Sequence, residues 1–285
     1  VSSNSILSIN NGNKEKLNNY INLSLKKKPQ LVITSNNCEI NNEKVLRFEN
    51  YEIVFNYILK KICKQYEDLN YFGITGTNGK TTSAYYLNQL IGEKNLFIGT
   101  IDDEKKYSFT KEKVLTTPKL FNIVKLISLQ KKNIDSVSLE VSSHALDQER
   151  LGNLNFLISG FTNLSQDHLD YHKTMDAYFE AKALLGELLV NQGGKKKPVF
   201  VINKDDGYGQ RLIRRFKDRV DVVTYGMGVG CDFRATRIAA DVNGTRFELE
   251  ATGRTFMVRL PLIGRSTVYN VLSVLAATRG MAVTL

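Results

Sequence analysis

A glycine-rich run set between a strand-forming and a helix-forming segment constrains this sequence more than any other feature. Tyr71-Phe72-Gly73-Ile74 is short, apolar and β-prone; Thr75-Gly76-Thr77-Asn78-Gly79 follows, and Lys80-Thr81-Thr82 opens a helical stretch that runs to Ile91. A chain that passes from strand to helix through glycines brings backbone N–H groups together at the positive end of a helix dipole, an arrangement suited to phosphate oxygens. Lys80 is then placed to reach the outer phosphates, and a threonine hydroxyl to hold Mg²⁺. The strict Gly-x-x-x-x-Gly-Lys-Ser/Thr spacing is not met, because Ile74 stands where its first glycine belongs. The shorter Gly76-x-x-Gly79-Lys80-Thr81 remains.

The surrounding pattern repeats this unit. Strand-like and helix-like segments alternate: Leu96 to Ile101, helix Pro118 to Gln130, Ser136 to Val141, Phe156 to Thr162, helix Met175 to Val190, Val199 to Asn203. Alternation of this kind implies an α/β fold with a mostly parallel sheet flanked by helices, and sites at the carboxyl ends of its strands. Upstream, Ser5 to Ile9, Lys14 to Leu25 and Gln30 to Thr34 read as a small α/β unit, followed by a helix from Tyr51 to Tyr66; the expected boundary divides the chain into 1–68 and 69–285. From Asp232 to Leu262 the pattern becomes β-rich, with a turn at Asn243-Gly244, and a last helix spans Thr267 to Arg279.

Composition narrows the function classes. Among 285 residues, 42% hydrophobic and 24% charged is globular, and no apolar run reaches the ~18 residues of a membrane span. Cys38, Cys63 and Cys231 are odd in number and far apart, so neither a zinc site nor a disulfide framework is expected, and a cytoplasmic location fits. The net charge of +10 invites a nucleic-acid reading, but its densest runs, Lys26–Lys28 and Lys195–Lys197, sit beside Pro29 and Pro198 with no aromatics interleaved. A lysine-rich surface and small polyanionic ligands account for it better.

Three further places carry chemistry. In Ser136-Val-Ser-Leu-Glu-Val141, Glu140 lies on the face opposite Val137, Leu139 and Val141, at the rim of the sheet. His144, His168 and His172 are the chain's only histidines, and two of them fall in the polar run Gln166-Asp-His-Leu-Asp-Tyr-His172. On the helix from Met175, the acids Asp176, Glu180 and Glu187 form one stripe, while Lys182 shares an apolar arc with Met175, Tyr178, Leu185 and Leu189. An ammonium there must snorkel, pair with an acid or change its chemistry, and snorkelling is the default from the pattern alone.

Together, Gly76-Thr-Asn-Gly-Lys-Thr-Thr82, Glu140-Val-Ser-Ser-His-Ala-Leu146 with Gln148 and Arg150, Phe161-Thr-Asn-Leu-Ser-Gln-Asp-His-Leu-Asp-Tyr-His172 and Ala181-Lys182 resemble the Mur ligase family. The likeness is greatest to its MurE type, dense over residues 70 to 190 and loose elsewhere. It implies ATP-dependent amide formation in peptidoglycan precursor synthesis. UDP-N-acetylmuramoyl-L-alanyl-D-glutamate would be activated as an acyl phosphate and then attacked by a diamino acid, meso-diaminopimelate or L-lysine. By the same resemblance, Gly76, Thr77, Asn78, Gly79, Lys80, Thr81 and Thr82 bind ATP, with Asn270 near the adenine. Thr81, Glu140, His168 and Lys182 serve two Mg²⁺ sites, Lys182 as a carbamate. Lys80, Glu140, His168 and Lys182 are the catalytic set, and Thr116, Thr117, Ser142, Gln148 and Arg150 contact the muramoyl dipeptide.

The sequence departs from the family pattern at Leu115, where Asn is common, and at Ser266-Thr267, where Phe-Asn is usual. The resemblance further implies a UDP-substrate-binding unit at 1–68, lacking part of its start, a central ATP-binding unit at 69–285, and no amino-acid-binding C-terminal domain. The fragment is then expected to bind nucleotide without completing ligation, as a monomer with no nucleic-acid or membrane partner. The alternatives are a non-catalytic nucleotide-binding module and another Mur-like ligase, such as a folylpolyglutamate or cyanophycin synthetase.

Overall fold

The structure, a computed structural model, describes residues 6–101, 115–130, 133–152, 154–192 and 197–281. The Lys195–Lys197 run therefore lies partly outside the described residues. The chain divides into two compact units, Val1–Gln65 and Tyr66–Leu285.

In the first unit, three parallel strands, β1 (Ile6–Ser8), β2 (Leu31–Ser35) and β3 (Val45–Phe48), lie in that order. Helix α1 (Lys14–Leu25) joins β1 to β2, and α2 (Tyr51–Cys63) follows β3. Asn13 starts α1 by accepting the Lys16 N–H at 2.9 Å, satisfying one of the donors a helix start leaves free. Leu17 and Ile21, four residues apart on one helix face, are fully buried against Val32, Cys38 and Val45. Strand β3 was not expected from the sequence; it is short, and only Val45 in it is buried.

The second unit is built on one sheet of nine strands. Its members are β4 (Asn70–Thr75), β5 (Asn95–Ile98), β6 (Ser136–Glu140), β7 (Phe156–Phe161), β8 (Val199–Asn203), β9 (Asp221–Gly226), β10 (Phe233–Asp241), β11 (Gly244–Ala251) and β12 (Arg254–Leu260). The order is β12-β11-β10-β9-β8-β7-β4-β6-β5, parallel from β5 to β10 and antiparallel through the last two strands. Every residue of β5, β6 and β8 is buried, as expected where helices cover both faces. By contrast β12 alternates between exposed and half-buried positions. The β-rich segment is thus no separate body: β10 joins β9 in parallel through Phe233↔Tyr225 and Arg234↔Gly226, and the sheet continues.

Helices α3 (Lys80–Ile91) and α9 (Arg265–Ala277) cover one face, packing Ala84, Leu87, Val268 and Leu272 on Phe72, Ile158, Val199 and Val201. The other helices are α4 (Leu120–Gln130), α5 (Ser143–Asp147), α6 (Leu169–His172), α7 (Met175–Asn191) and α8 (Gly207–Phe216). Phe200, of opposite parity to Val199 and Val201, meets Phe216 of α8 at 5.5 Å between ring centroids, which sets α8 on the opposite face. Helix α7 packs beside α8 and on β7 and β8.

Neither α8 nor β9 was expected from the sequence. Arg211, Arg214 and Arg215 give α8 a polar look, yet Arg211 and Arg215, with Arg219 just past the helix, explain the acidic stripe of α7: Arg211 pairs with Asp176 at 2.9 Å, Arg215 with Glu180 at 2.6 Å and Arg219 with Glu187 at 2.7 Å. Among the described residues no helix is long and apolar enough to cross a membrane.

Candidate functional site

Because β4 runs between β6 and β7, the loop that leaves β4 is flanked by the ends of both neighbours. Residues Gly76 to Gly79 turn the chain into α3, with Gly76 at φ +148° and Gly79, the residue before the helix, at φ +84°. The first N–H groups of α3 have no partners within the helix and point into this turn. The loop is tied to the segment after β7. Asn163 accepts the Thr77 N–H on its carbonyl (2.8 Å) and the Asn78 N–H on its side chain (3.0 Å), and it donates back to the Asn78 carbonyl at 2.9 Å. Thr162 adds a hydroxyl bond to the same carbonyl at 2.7 Å. From the other side Asn270 closes in, its Oδ1 so near Gly79 that a Cβ there would stand 2.4 Å away.

The expected carboxylate is in place. Glu140, at the end of β6, is only 3% exposed, and its Oε2 accepts both the backbone N–H and the hydroxyl of Thr100, at 3.2 and 3.1 Å. The Thr100 hydroxyl lies 3.3 Å from that of Thr81, so Glu140 and Thr81 belong to one hydrogen-bonded chain at the start of α3. Lys80 folds its amine back on the Thr77 carbonyl at 2.8 Å. Burial draws its ammonium below the ordinary lysine range, while Glu140 and Asp167 pull the other way.

Lys182 does not snorkel, contrary to the default read from the helical wheel. It is 1% exposed, its amine donates to the Gly76 carbonyl at 2.7 Å, and it sits 4.5 Å from the centroid of the Tyr178 ring. The side chain points inward because its α7 face meets the loop at Gly76. No carboxylate pairs with it among the described residues. Burial, reinforced by the nearby charge of Lys80, holds its amine well below the usual lysine range.

The three histidines do form one cluster. His144 lies 4.9 Å from His168 and 5.5 Å from His172 between centroids, and His172 stacks on Tyr178 at 5.0 Å. His168 itself is 6.0 Å from the Tyr178 ring, holds φ +51° and has Nε2 3.5 Å from Asp167 Oδ2. Burial and the neighbouring imidazoles lower both His144 and His172, so neutral rings are favoured.

Thr117 and Ser142 meet behind Glu140. The Thr117 hydroxyl donates to the Glu140 carbonyl at 2.7 Å and accepts the Ser142 N–H at 2.8 Å, while Ser142 caps α5. Thr117 is fully buried and Thr116 half-buried. Arg150 donates through Nη1 to the Thr117 carbonyl at 3.2 Å and through Nε to Gln148 Oε1 at 2.9 Å. Burial holds the Arg150 guanidinium below its usual range.

Sequence reasoning missed the residues that brace this arrangement. Thr100 carries Glu140; Asn203 donates to the Thr162 carbonyl at 2.7 Å; Asp205 accepts the Met227 and Gly228 N–H groups and the Tyr269 hydroxyl. Asp206 starts α8, accepting the Tyr208 and Gly209 N–H groups at 2.9 Å, and its other oxygen accepts the Leu164 N–H at 3.1 Å. Asp206 directly before a helical stretch was the readable signal. Asp206→Ala is expected to cost about 1–2 kcal/mol, measured by urea unfolding, while Asp206→Asn retains most of it; equal loss in both would contradict the capping role.

A model of the Mur ligase middle domain matches residues 74–278. The UDP-N-acetylmuramoyl-L-alanyl-D-glutamate–2,6-diaminopimelate ligase of Solibacter usitatus is 40% identical over 214 residues, 74% of this chain and 42% of that protein. The Bacillus cereus protein of the same name is 39% identical, over 73% of this chain and 43% of its own. UDP-N-acetylmuramyl-tripeptide synthetase 2 of Oceanobacillus iheyensis is 37% identical, over 74% and 43%. The chain therefore spans less than half the length of the curated relatives it matches. A solved structure of a UDP-N-acetylmuramoyl-L-alanyl-D-glutamate–2,6-diaminopimelate ligase superposes with TM-score 0.75 at 26% identity, over 100% of this chain and 58% of that one. MurF ligase from Thermotoga maritima, in complex with ADP, gives 0.72 at 14% identity over 100% and 62%, a likeness of fold alone. The family match begins inside β4 and ends just past α9, taking in every element around the loop, and by it this chain belongs to the Mur ligase family.

Proposed function

We propose that the protein acts in an ATP-dependent ligation of peptidoglycan precursor synthesis, adding a diamino acid to UDP-N-acetylmuramoyl-L-alanyl-D-glutamate. The names of its relatives favour 2,6-diaminopimelate as the amine, and a cytoplasmic site of action follows from the same reading. Residues 1–68 are read as the unit that receives the UDP end of the substrate, and 69–285 as the ATP-binding unit. One observation carries the proposal: Lys182, a buried amine without a carboxylate partner among the described residues, donates to the carbonyl of Gly76 inside the phosphate loop.

The chemistry asks for little covalent help from the protein. A carboxylate oxygen of the D-glutamyl residue attacks the γ-phosphorus, ADP leaves, and the amine then attacks the acyl carbon and expels phosphate. Positioning and charge neutralisation supply most of the acceleration. The loop N–H groups and the N-terminus of α3 receive the phosphates, and Lys80, released from the Thr77 carbonyl, takes the outer ones. Thr81 and Glu140 offer hard oxygen donors of the kind Mg²⁺ prefers alongside phosphates and water, so the residues present fit that ion. Bound Mg²⁺ would neutralise charge on the transferring phosphoryl group. His168 is the proposed further ligand.

Lys182 has the properties a carbamate requires. Its lowered basicity leaves more free amine to attack CO₂: the ammonium gives up one proton, the amine forms a C–N bond to CO₂, a second proton leaves nitrogen, and a cation has become an anionic oxygen donor. That conversion would resolve the unpaired charge and add a Mg²⁺ ligand beside the loop.

Lys80→Ala is expected to weaken Mg·ATP binding by about ten- to a hundredfold, since a hydrogen bond from a charged donor contributes roughly 1.5–3 kcal/mol. Titration calorimetry measures it. Undiminished affinity, or failure of the wild-type chain to bind either Mg·ATP or the nucleotide dipeptide, would remove the proposal.

A further inference from the structure

Asp147, Tyr171, Gln148 and Arg150 form a one-way chain of hydrogen bonds whose two ends carry opposite charge. The Tyr171 hydroxyl donates to Asp147 Oδ2 at 2.6 Å, which leaves its oxygen to accept from Gln148 Nε2 at 3.2 Å. Gln148 Oε1 in turn accepts from Arg150 Nε at 2.9 Å and from Nη2. A carboxylate only accepts and a guanidinium only donates, so the phenol and the carboxamide between them each have a single orientation that satisfies both neighbours. The Tyr171 ring is itself held, 4.2 Å from the His144 centroid and 4.8 Å from that of His172.

The consequence lies at Arg150. No carboxylate stands within ion-pairing distance of it among the described residues, and its acceptors are the neutral Gln148 Oε1 and Thr117 carbonyl. The charge of Asp147 reaches it only through two neutral groups. A direct pair would orient the guanidinium and also cancel its charge; the relay orients it and leaves the charge. Three of its N–H donors are engaged and the rest stay available, in the planar geometry that suits a carboxylate.

We propose that Tyr171 is a positioning residue that acts through Gln148 to hold Arg150 as an unneutralised guanidinium for a carboxylate of an acidic ligand. The ligand side of this rests on the proposed function together with the contact of Gln148 and Arg150 with the muramoyl dipeptide that the family resemblance implies; the positioning itself is a property of the ligand-free chain.

Tyr171→Phe removes one oxygen and keeps the ring, so two measurements separate these parts. In the ligand-free protein, side-chain ¹⁵N–¹H spectra of Arg150, assigned through their loss in Arg150→Lys, report rotation of the guanidinium. Rotation is expected to be about tenfold faster in Tyr171→Phe, and unchanged spectra overturn the proposal. In calorimetry with UDP-N-acetylmuramoyl-L-alanyl-D-glutamate, Tyr171→Phe is expected to raise Kd about three- to tenfold, the worth of one neutral hydrogen bond, without altering the Kd of Mg·ATP. Tyr171→Phe/Gln148→Ala should then bind no more weakly than Gln148→Ala alone. Equal loss for both ligands would mark a structural role and overturn the proposal. Faster Arg150 rotation in a chain whose wild type does not bind the dipeptide nucleotide would uphold the positioning and refute the substrate assignment.

Discussion

Gly76→Ala is expected to destabilise the second unit by about 3–5 kcal/mol, seen as a lower urea midpoint at unchanged slope. Two causes add. At φ +148° an alanine is strained, which costs roughly 1–3 kcal/mol, and a Cβ would stand 1.9 Å from Thr162 Oγ1 and 3.1 Å from the backbone of Asn163, an overpacking of similar cost. Neither neighbour is free to retreat. The Thr162 hydroxyl is bonded to the Asn78 carbonyl, and Asn163 holds the loop through its own carbonyl and side chain. Gly79 makes the useful contrast: there the obstacle is the end of the Asn270 side chain, which can swing, so Gly79→Ala should cost only about 1–2 kcal/mol. The steric share is separable, because Thr162→Ala removes the clashing oxygen. Gly76→Ala/Thr162→Ala is expected to recover about 1–2 kcal/mol relative to Gly76→Ala, a coupling between neighbours. A Gly76→Ala chain within about 0.5 kcal/mol of the wild type would end the argument.

What could be read in the sequence was what short stretches encode by themselves. The apolar run before Gly76 and the glycines after it carry local information, and α3 begins at Lys80 and ends at Ile91 as the pattern indicates. Glu140 was expected at the rim because it lies near the end of its strand, and it is the last residue of β6. The acidic stripe on α7 was visible too, but its reason was not, since its partners lie on α8 and just past its end, 32 to 35 residues further along the chain. Helix α8 escaped because its arginines mask Leu212 and Phe216, the apolar side chains it buries. Strand order is a tertiary fact: nothing local says that β4 lies between β6 and β7, and that placement brings Thr162 and Asn163 onto the loop. Lys182 shows the limit most clearly. A helical wheel gives a side chain's face and not what the face meets, and here it meets a carbonyl 106 positions earlier in sequence.

That burial has a thermodynamic signature of its own. Lys182→Met in CO₂-free buffer is expected to be more stable than the wild type at pH 7, by about 1–3 kcal/mol, because a methionine of similar volume fills the site without a charge to desolvate. The sign follows from proton linkage. The folded-state pKa of Lys182 lies well below the unfolded value, so between the two the unfolded chain carries one more proton at this residue. Wild-type stability therefore gains up to about 1.36 kcal/mol per pH unit as pH rises through that window, up to the ordinary lysine pKa of about 10.4. The variant lacks this contribution, so the two stability curves converge toward high pH. The same substitution removes the nucleophile for CO₂, so ¹³CO₂ should give a carbamate carbon signal in the wild type and none in the variant. Those two results together would mark Lys182 as a residue kept for chemistry and not for the fold. Parallel stability curves, or a variant less stable than the wild type at pH 7, would show instead that the Gly76 carbonyl and the Tyr178 ring fully offset the desolvation of the ammonium.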